Sequence, residues 1–402
     1  MTPVVDPQAV AVRVRDARAR LGLSQTALAS RATVSQATVS RIESADRGVT
    51  LFEADRLAQA LQLPLDTLLF GSQVGQRVLV AMRVAEAELD RASAIAPGVE
   101  LLELDERLDS VVADYRQEPR QLPDLPAFTG SPSAAHGARM AASLRAALDL
   151  GVGPLTDPAQ LIEEVTGVDV ATRPLPGVSG MLLIDPQRGT RLILANSDDA
   201  AERQRFTLAH ELGHLLFGDG AHVDAQVDKA GPAANKVETR CHEFARDLLI
   251  PVMGITAWLQ RMRSGDITSP VDEQHVSLLA RHFCVSAHTV GIQLERAKLV
   301  PVGHWPSTPV LASKYGWRQE YQASQAVARQ PRPPRRLVQR ATVAFAQGDL
   351  GARILADLEG RAVDEVEAEL AFLQVDVPAR KPARIASIDR LLALAGERSP
   401  NA

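Results

Sequence analysis

Only two cysteines occur in the 402 residues, Cys241 and Cys284. They lie far apart in sequence, which argues against a disulfide framework. No run of about 18 apolar residues is present, so a membrane-spanning helix is not expected. Nor is there a signal-peptide pattern, and the expectation is a cytoplasmic protein of bacterial type, on the nucleoid when bound to DNA. An excess of positive charge is missing too: 44 Lys and Arg face 49 Asp and Glu, for a net charge of −5. That excludes a generally polybasic chain, so any contact with nucleic acid must be local. What remains, 46% hydrophobic and 23% charged residues, is globular composition, and the length suits about two to three domains.

The pentad His210-Glu211-Leu212-Gly213-His214 is the segment richest in chemistry. It sits in an apolar helical run that includes Phe206, Leu208, Ala209, Leu215 and Leu216. Residues four apart on a helix share a face, so both imidazoles can reach one cation while Glu211, about a quarter turn round, faces the attacking water. Buried His and Glu without a partner are costly, and a shared metal removes that cost. Catalytic zinc takes three protein ligands and leaves a fourth position to water. A third ligand is available downstream, where residues 238–251 read as a second helix with Cys241, Phe244, Ala245 and Leu248 on its apolar face and Pro251 as its stop. Glu238 projects from the first turn of that helix. Glu243 competes with it but lies off the apolar face.

The pattern Arg205-Phe206-Thr207-Leu208-Ala209-His210-Glu211-Leu212-Gly213-His214, followed by Glu238-x-x-Cys241-x-x-Phe244-Ala245 and Leu248-Leu249-Ile250-Pro251, resembles the ImmA/IrrE family of metallopeptidases. The likeness covers roughly Ala135 to Val300 and includes Ile193-Leu194-Ala195-Asn196, which matches the family's strand ending in Asn. It implies His210, His214 and Glu238 as ligands of one Zn²⁺ per chain, Glu211 as catalytic base, and His242 and Asn196 as supporting residues around them. His242 stands where the family has Asn or Asp, and Cys241 where it has Ala; Cys241 also reads simply as a small buried residue. Such changes beside a metal can lower affinity or activity by roughly 10–100-fold. Just upstream, residues 180–184 and 191–194 read as a hairpin around Asp185-Pro186-Gln187-Arg188-Gly189. Its edge could hold an extended substrate by main-chain hydrogen bonds, or only complete a small core.

At the amino-terminal end, Val10 to Leu21 reads as a helix, followed by two short helices, each with a serine at its N-cap. Arg31-Ala32-Thr33 between them allows only a sharp turn, the spacing of a helix-turn-helix. Leu51 to Leu61 and Leu65 to Phe70 complete five helices. The Leu23-Ser24-Gln25-x-x-Leu28-Ala29 and Val34-Ser35-x-x-Thr38-x-Ser40-x-Ile42-Glu43 pattern resembles the XRE, or lambda-repressor-like, DNA-binding domain. That resemblance implies a double-stranded DNA operator and a homodimer reading two half-sites. Gln36, Ala37, Thr38, Ser40 and Arg41 would meet the major groove, and Gln25 would fix a phosphate or brace Gln36. Residues 1–70 carry eight Arg against seven Asp and Glu, so no basic field adds to this.

The rest is less specific. Residues 72–115 read as a helical arm with Leu79, Met82, Ala85 and Leu89 in period, interrupted at Ala96-Pro97-Gly98, either a dimerisation arm or a spacer; residues 118–132 read as a linker. Residues 276–300 form a second helix-turn-helix-like segment, read as a cap rather than a second DNA reader, with His275, His282 and His288 on its surface. The basic, proline-rich residues 329–336 read as a solvated linker. Leu337 to Leu355, Val363 to Leu373 and Ile385 to Ala395 read as helices. The expected fold class is α+β, mainly α. Its parts are a five-helix domain (1–71), the arm and linker (72–133), a zincin-like core with a small sheet (134–260), the helix-turn-helix-like segment (261–302) and a carboxy-terminal helical region (303–402). The expected activity is zinc-dependent cleavage of an XRE-type repressor, or of this chain itself, to change transcription. The alternative is a regulator whose metal site is only a scaffold, or the binding partner of a toxin.

Overall fold

The computed structural model describes residues 6–61, 63, 65–71, 74–75, 78–84, 91–109, 125–219, 232–262, 270–359 and 361–372. They divide into two compact units, one comprising Met1–Leu79, Gly98–Glu103 and Ile184–Thr190 and the other the remainder. Among them no helix is long and apolar enough to cross a membrane.

The first unit holds α1 (Pro7–Arg20), α2 (Gln25–Arg31), α3 (Gln36–Glu43), α4 (Leu51–Leu61) and α5 (Leu65–Phe70). Ser24 and Ser35 cap α2 and α3, each side chain accepting a backbone N–H three residues on. Thr33, at φ 54°, takes the left-handed conformation that turns the chain sharply between them. Val10, Val14, Leu28, Val39, Ile42, Leu57 and Leu68 form the buried core.

A four-stranded sheet has the order β1-β3-β4-β2, from β1 (Leu79–Val84), β2 (Asp169–Arg173), β3 (Val178–Asp185) and β4 (Thr190–Asn196). β2 runs parallel to β4, with Ala171 opposite Leu194. Strands β3 and β4 are the expected hairpin; Gly189, at φ 67°, closes its turn by donating its N–H to the Asp185 carbonyl at 2.8 Å. In chain order the next helices are α6 (Arg91–Asp109), α7 (Ala134–Ala147), α8 (Pro158–Thr166), α9 (Ala201–Phe217), α10 (Pro232–Leu249), α11 (Val252–Met262), α12 (Glu273–Phe283) and α13 (Ala287–Arg296). Helices α14 (Thr308–Lys314), α15 (Arg318–Ala328), α16 (Arg335–Ala346), α17 (Arg353–Glu359) and α18 (Val363–Phe372) follow.

Three expectations are corrected. Residues 79–84 of the supposed helical arm are strand β1, and Pro97 lies within α6 rather than interrupting it. Leu101, Leu102, Leu104 and Leu108 are buried beyond that proline, and their burial outweighs a proline penalty of about 3 kcal/mol. Residues 329–336 are likewise no solvated linker. Arg332 pairs its backbone with Thr172 on β2 and its guanidinium with Glu163 at 2.6 Å. Arg336 bonds the buried Asp169, with Nε 3.1 Å from Oδ1. Residues 118–124 of the expected linker and the helix at 385–395 lie outside the described residues.

Candidate functional site

Helices α9 and α10 build the centre. Helix α9 starts without a side-chain cap of its own, and other residues serve its first turn. Gln325 on α15 accepts the Ala201 N–H at 2.9 Å, and Gln204 donates to the Ser197, Asp199 and Ala328 carbonyls. Asn196, at the end of β4, fills all four of its hydrogen-bonding positions on the backbone of Leu175, Val178 and Asp198. It therefore orders the entry to α9. Gly180 on β3 lets α9 approach, since a Cβ there would meet the Thr207 Cγ2 at 2.2 Å. On the other side α10 lies against α7 at Gly137, where a Cβ would come within 2.1 Å of the Arg240 carbonyl oxygen.

This packing brings three donor residues together. His210 Nε2 lies 3.0 Å from His214 Nε2, and the Glu238 carboxylate reaches them with Oε2 at 3.2 Å from His210 and Oε1 at 3.3 Å from His214. Ligand bonds of about 2.0–2.1 Å around one tetrahedral cation separate neighbouring ligands by about 3.3 Å. The three distances fit that spacing. His210, Glu211 and His214 are buried, whereas the Glu238 side chain is 44% exposed, so the centre opens to solvent beside Glu238. Glu243, the competing carboxylate, pairs instead with Arg246 and with Arg296 at 2.8 Å.

Electrostatics tie the cluster together. Burial opposes the charge of Glu238, but hydrogen bonds from His210 and His214 outweigh it and hold its carboxyl well below the usual range. Burial also opposes a charged His214, yet Asp219, Cys241 and Glu238 raise its pKa strongly. These are groups whose lone pairs converge where positive charge is favoured.

Asp219 and Arg240 were not among the residues expected at the site. Asp219 Oδ2 lies 3.2 Å from His214 Nδ1, the orienting contact that ligating histidines commonly make. Arg240 donates to both Asp219 oxygens and covers the Phe217 ring at 4.0 Å. Cys241, fully buried, sets its sulfur 3.5 Å from His214 Nδ1, and burial pushes its thiol pKa up. Asp219 lies just past the end of α9 and Arg240 on α10, so no local periodicity links either to the pentad. His242 donates Nδ1–H to the Glu238 carbonyl at 2.8 Å, with its ring centroid 4.7 Å from that of His210.

In the first unit, Gln36, Ala37 and Arg41 are exposed on α3, and Ser40 is half-buried. Thr38 is tied into the Ser35 cap at 2.8 Å. Gln25 braces Gln36: it accepts the Gln36 amide at 2.9 Å and donates its own to Glu43 at 2.9 Å. Arg18 completes the chain, 2.5 Å from Glu43. Burial works to raise the Glu43 pKa, but the Arg18 and Gln25 bonds hold it below the ordinary value.

Residues 14–68 match the family described as Helix-turn-helix, and residues 163–295 match the IrrE N-terminal-like domain of the Peptidase_M78 family. The chain is similar to the radiation response metalloprotease IrrE of Deinococcus radiodurans, 35% identical over 144 residues, which is 35% of this chain and 43% of the relative. It is similar also to the protein of that name from Deinococcus deserti, 35% identical over 134 residues, covering 32% of this chain and 46% of the relative. The alignments thus span less than half of either relative.

Proposed function

This chain joins a helix-turn-helix domain to an IrrE-type metallopeptidase domain, and from that premise we propose that it is a transcription regulator that hydrolyses a peptide bond in a repressor-type protein, either a partner or its own chain. His210, His214 and Glu238 hold one Zn²⁺ in this reading. When bound, that ion polarises the scissile carbonyl and acidifies a water. Glu211, on the turn between the two histidines, takes the proton of the attacking water and passes it to the leaving amine. Asp219 orients His214, and Arg240 keeps Asp219 ionised and in place. The hairpin of β3 and β4 lies inside the sheet, between β1 and β2, so it has no edge of its own for a substrate; β1, at the end of the sheet order, is the edge an extended substrate would use instead.

On the DNA side, Gln36, Ala37, Ser40 and Arg41 meet base edges of a double-stranded operator, while Thr38 and Gln25 fix the helix and Gln36. Two copies on two half-sites suit this mode of reading. We keep the division at 1–71 and 134–260 for the DNA-reading and peptidase parts, with 261–302 as a cap and 72–133 and 303–402 as connecting and flanking parts.

The observation that carries the reading is the convergence of His210 Nε2 and His214 Nε2, 3.0 Å apart, on the Glu238 carboxylate, one oxygen 3.2 Å from His210 and the other 3.3 Å from His214, with the buried Glu211 on the same helix. The test is a Glu211→Gln variant bound to its operator and to Zn²⁺. Mass analysis of the repressor and of the chain itself should find specific fragments with wild type and none with the variant, while both bind DNA alike. Equal fragmentation, or none with either protein, would refute proteolysis. The replacement of the family's Asn or Asp by His242 favours a second reading, a metal-stabilised scaffold that regulates by binding alone.

A further inference from the structure

His242 lies four residues beyond Glu238 on α10, so both project from one face of the helix. One ring nitrogen of His242 lies within 4.8 Å of side-chain donor atoms of His210 and Glu238. Its Nδ1–H is committed to the Glu238 carbonyl at 2.8 Å, because a carbonyl oxygen only accepts. That bond fixes the tautomer in which Nε2 is the basic nitrogen. Histidines that bind metals characteristically donate their second N–H to a carboxylate or a backbone carbonyl. His214 does so to Asp219, and His242 does so to Glu238. The ring is further held between His210, at a centroid distance of 4.7 Å, and Phe206, at 5.8 Å.

The neighbouring group of His214, Asp219 and Cys241 does not compete. Both Asp219 oxygens receive Arg240, and Cys241 donates to Asp219. Those residues orient His214 and do not form a second metal site.

We propose that His242 is a fourth protein ligand, so that the resting centre is closed by three imidazoles and one carboxylate. This rests on the reading of His210, His214 and Glu238 as ligands. Structural zinc sites are closed and catalytic ones keep a position for water. His242 therefore has to leave the ion before a substrate carbonyl can be polarised, and the chain holds its metal in a latent form. Asn, the residue type the family carries at this position, is too short to play that part.

The experiment is X-ray absorption at the zinc edge on the full-length, Zn²⁺-loaded chain, with His242→Asn alongside. Imidazole scattering should count three histidines in wild type and two in the variant, with a light oxygen ligand in place of the third. Chelator competition should show Zn²⁺ held at least about tenfold more weakly by the variant. Two histidines in wild type would overturn the proposal while leaving the three-residue site intact, and this measurement does not depend on the variant folding. A folded wild type that takes up no Zn²⁺ would overturn the site itself and the proposal with it.

Discussion

Alanine at position 137 should damage the metal centre from outside it. A Cβ on Gly137 would stand 2.1 Å from the Arg240 carbonyl oxygen and 2.8 Å from the Phe244 nitrogen, both backbone atoms of α10. Neither can rotate away. Ordinary contact for a Cβ begins near 3.4 Å, so the helices have to part by about 1.3 Å. Glu238 is two residues from Arg240 on the same helix, and its carboxylate is displaced with it relative to His210 and His214 on α9. The three donor distances of 3.0, 3.2 and 3.3 Å leave no room for that, since ligand bonds tolerate about 0.2 Å. Overpacking of this kind costs about 1–3 kcal/mol of stability, and a misplacement of about 1 Å can cost roughly 100-fold in rate. Thermal unfolding and a chelator-competition titration with Zn²⁺ should show both losses in Gly137→Ala. Gly153→Ala, where nothing lies within 4 Å, should show neither. A Gly137→Ala protein with unchanged stability and metal affinity would refute the close seating of α7 on α10.

Other changes probe different levels of the account. Asp219→Asn removes the carboxylate that orients His214 and leaves Arg240, whose side chain is 9% exposed, without its counter-charge; Zn²⁺ affinity should fall about 10–100-fold, and an unchanged affinity would remove Asp219 from the centre. Gln36→Ala should cost about 1–3 kcal/mol at one base pair of the operator while leaving the salt dependence of binding unchanged; equal losses on every sequence would mean that Gln36 does not read a base. Asp169 tests the strap of residues 329–336. Burial pushes its pKa up to about 6 in spite of Arg336, so its folded value exceeds the unfolded one. Its stabilising contribution is then full below about pH 4 and is lost as pH rises through 6, by up to about 3 kcal/mol. Denaturant titrations between pH 4 and 7 should show this slope flattened in Asp169→Asn, and an identical slope in both would contradict the assignment.

Features set by neighbours in sequence were legible before the structure. Ser24 and Ser35 announced their helices, residues 180–194 their hairpin, and the spacing of His210 and His214 their shared face. What was not legible depends on distant partners. Leu79 and Met82, three apart, suit a helix as well as a strand, and pairing beside β3 decided for the strand. Pro97 read as a break because its local penalty is visible and the leucines buried beyond it are not. Arg332 and Arg336 read as solvated charges because Glu163 and Asp169, which bind them, lie more than 160 residues away. Asp219 and Arg240 meet only once α9 and α10 are packed together.

The most direct test of the central claim is the Zn²⁺ content of the folded chain, by elemental analysis after dialysis, for wild type and Glu238→Ala. One ion per chain in wild type and its loss from an equally folded variant is the expected result. A wild-type protein that folds fully and retains no zinc, or a variant that holds it as tightly as wild type, would contradict the claim that His210, His214 and Glu238 form a metal centre.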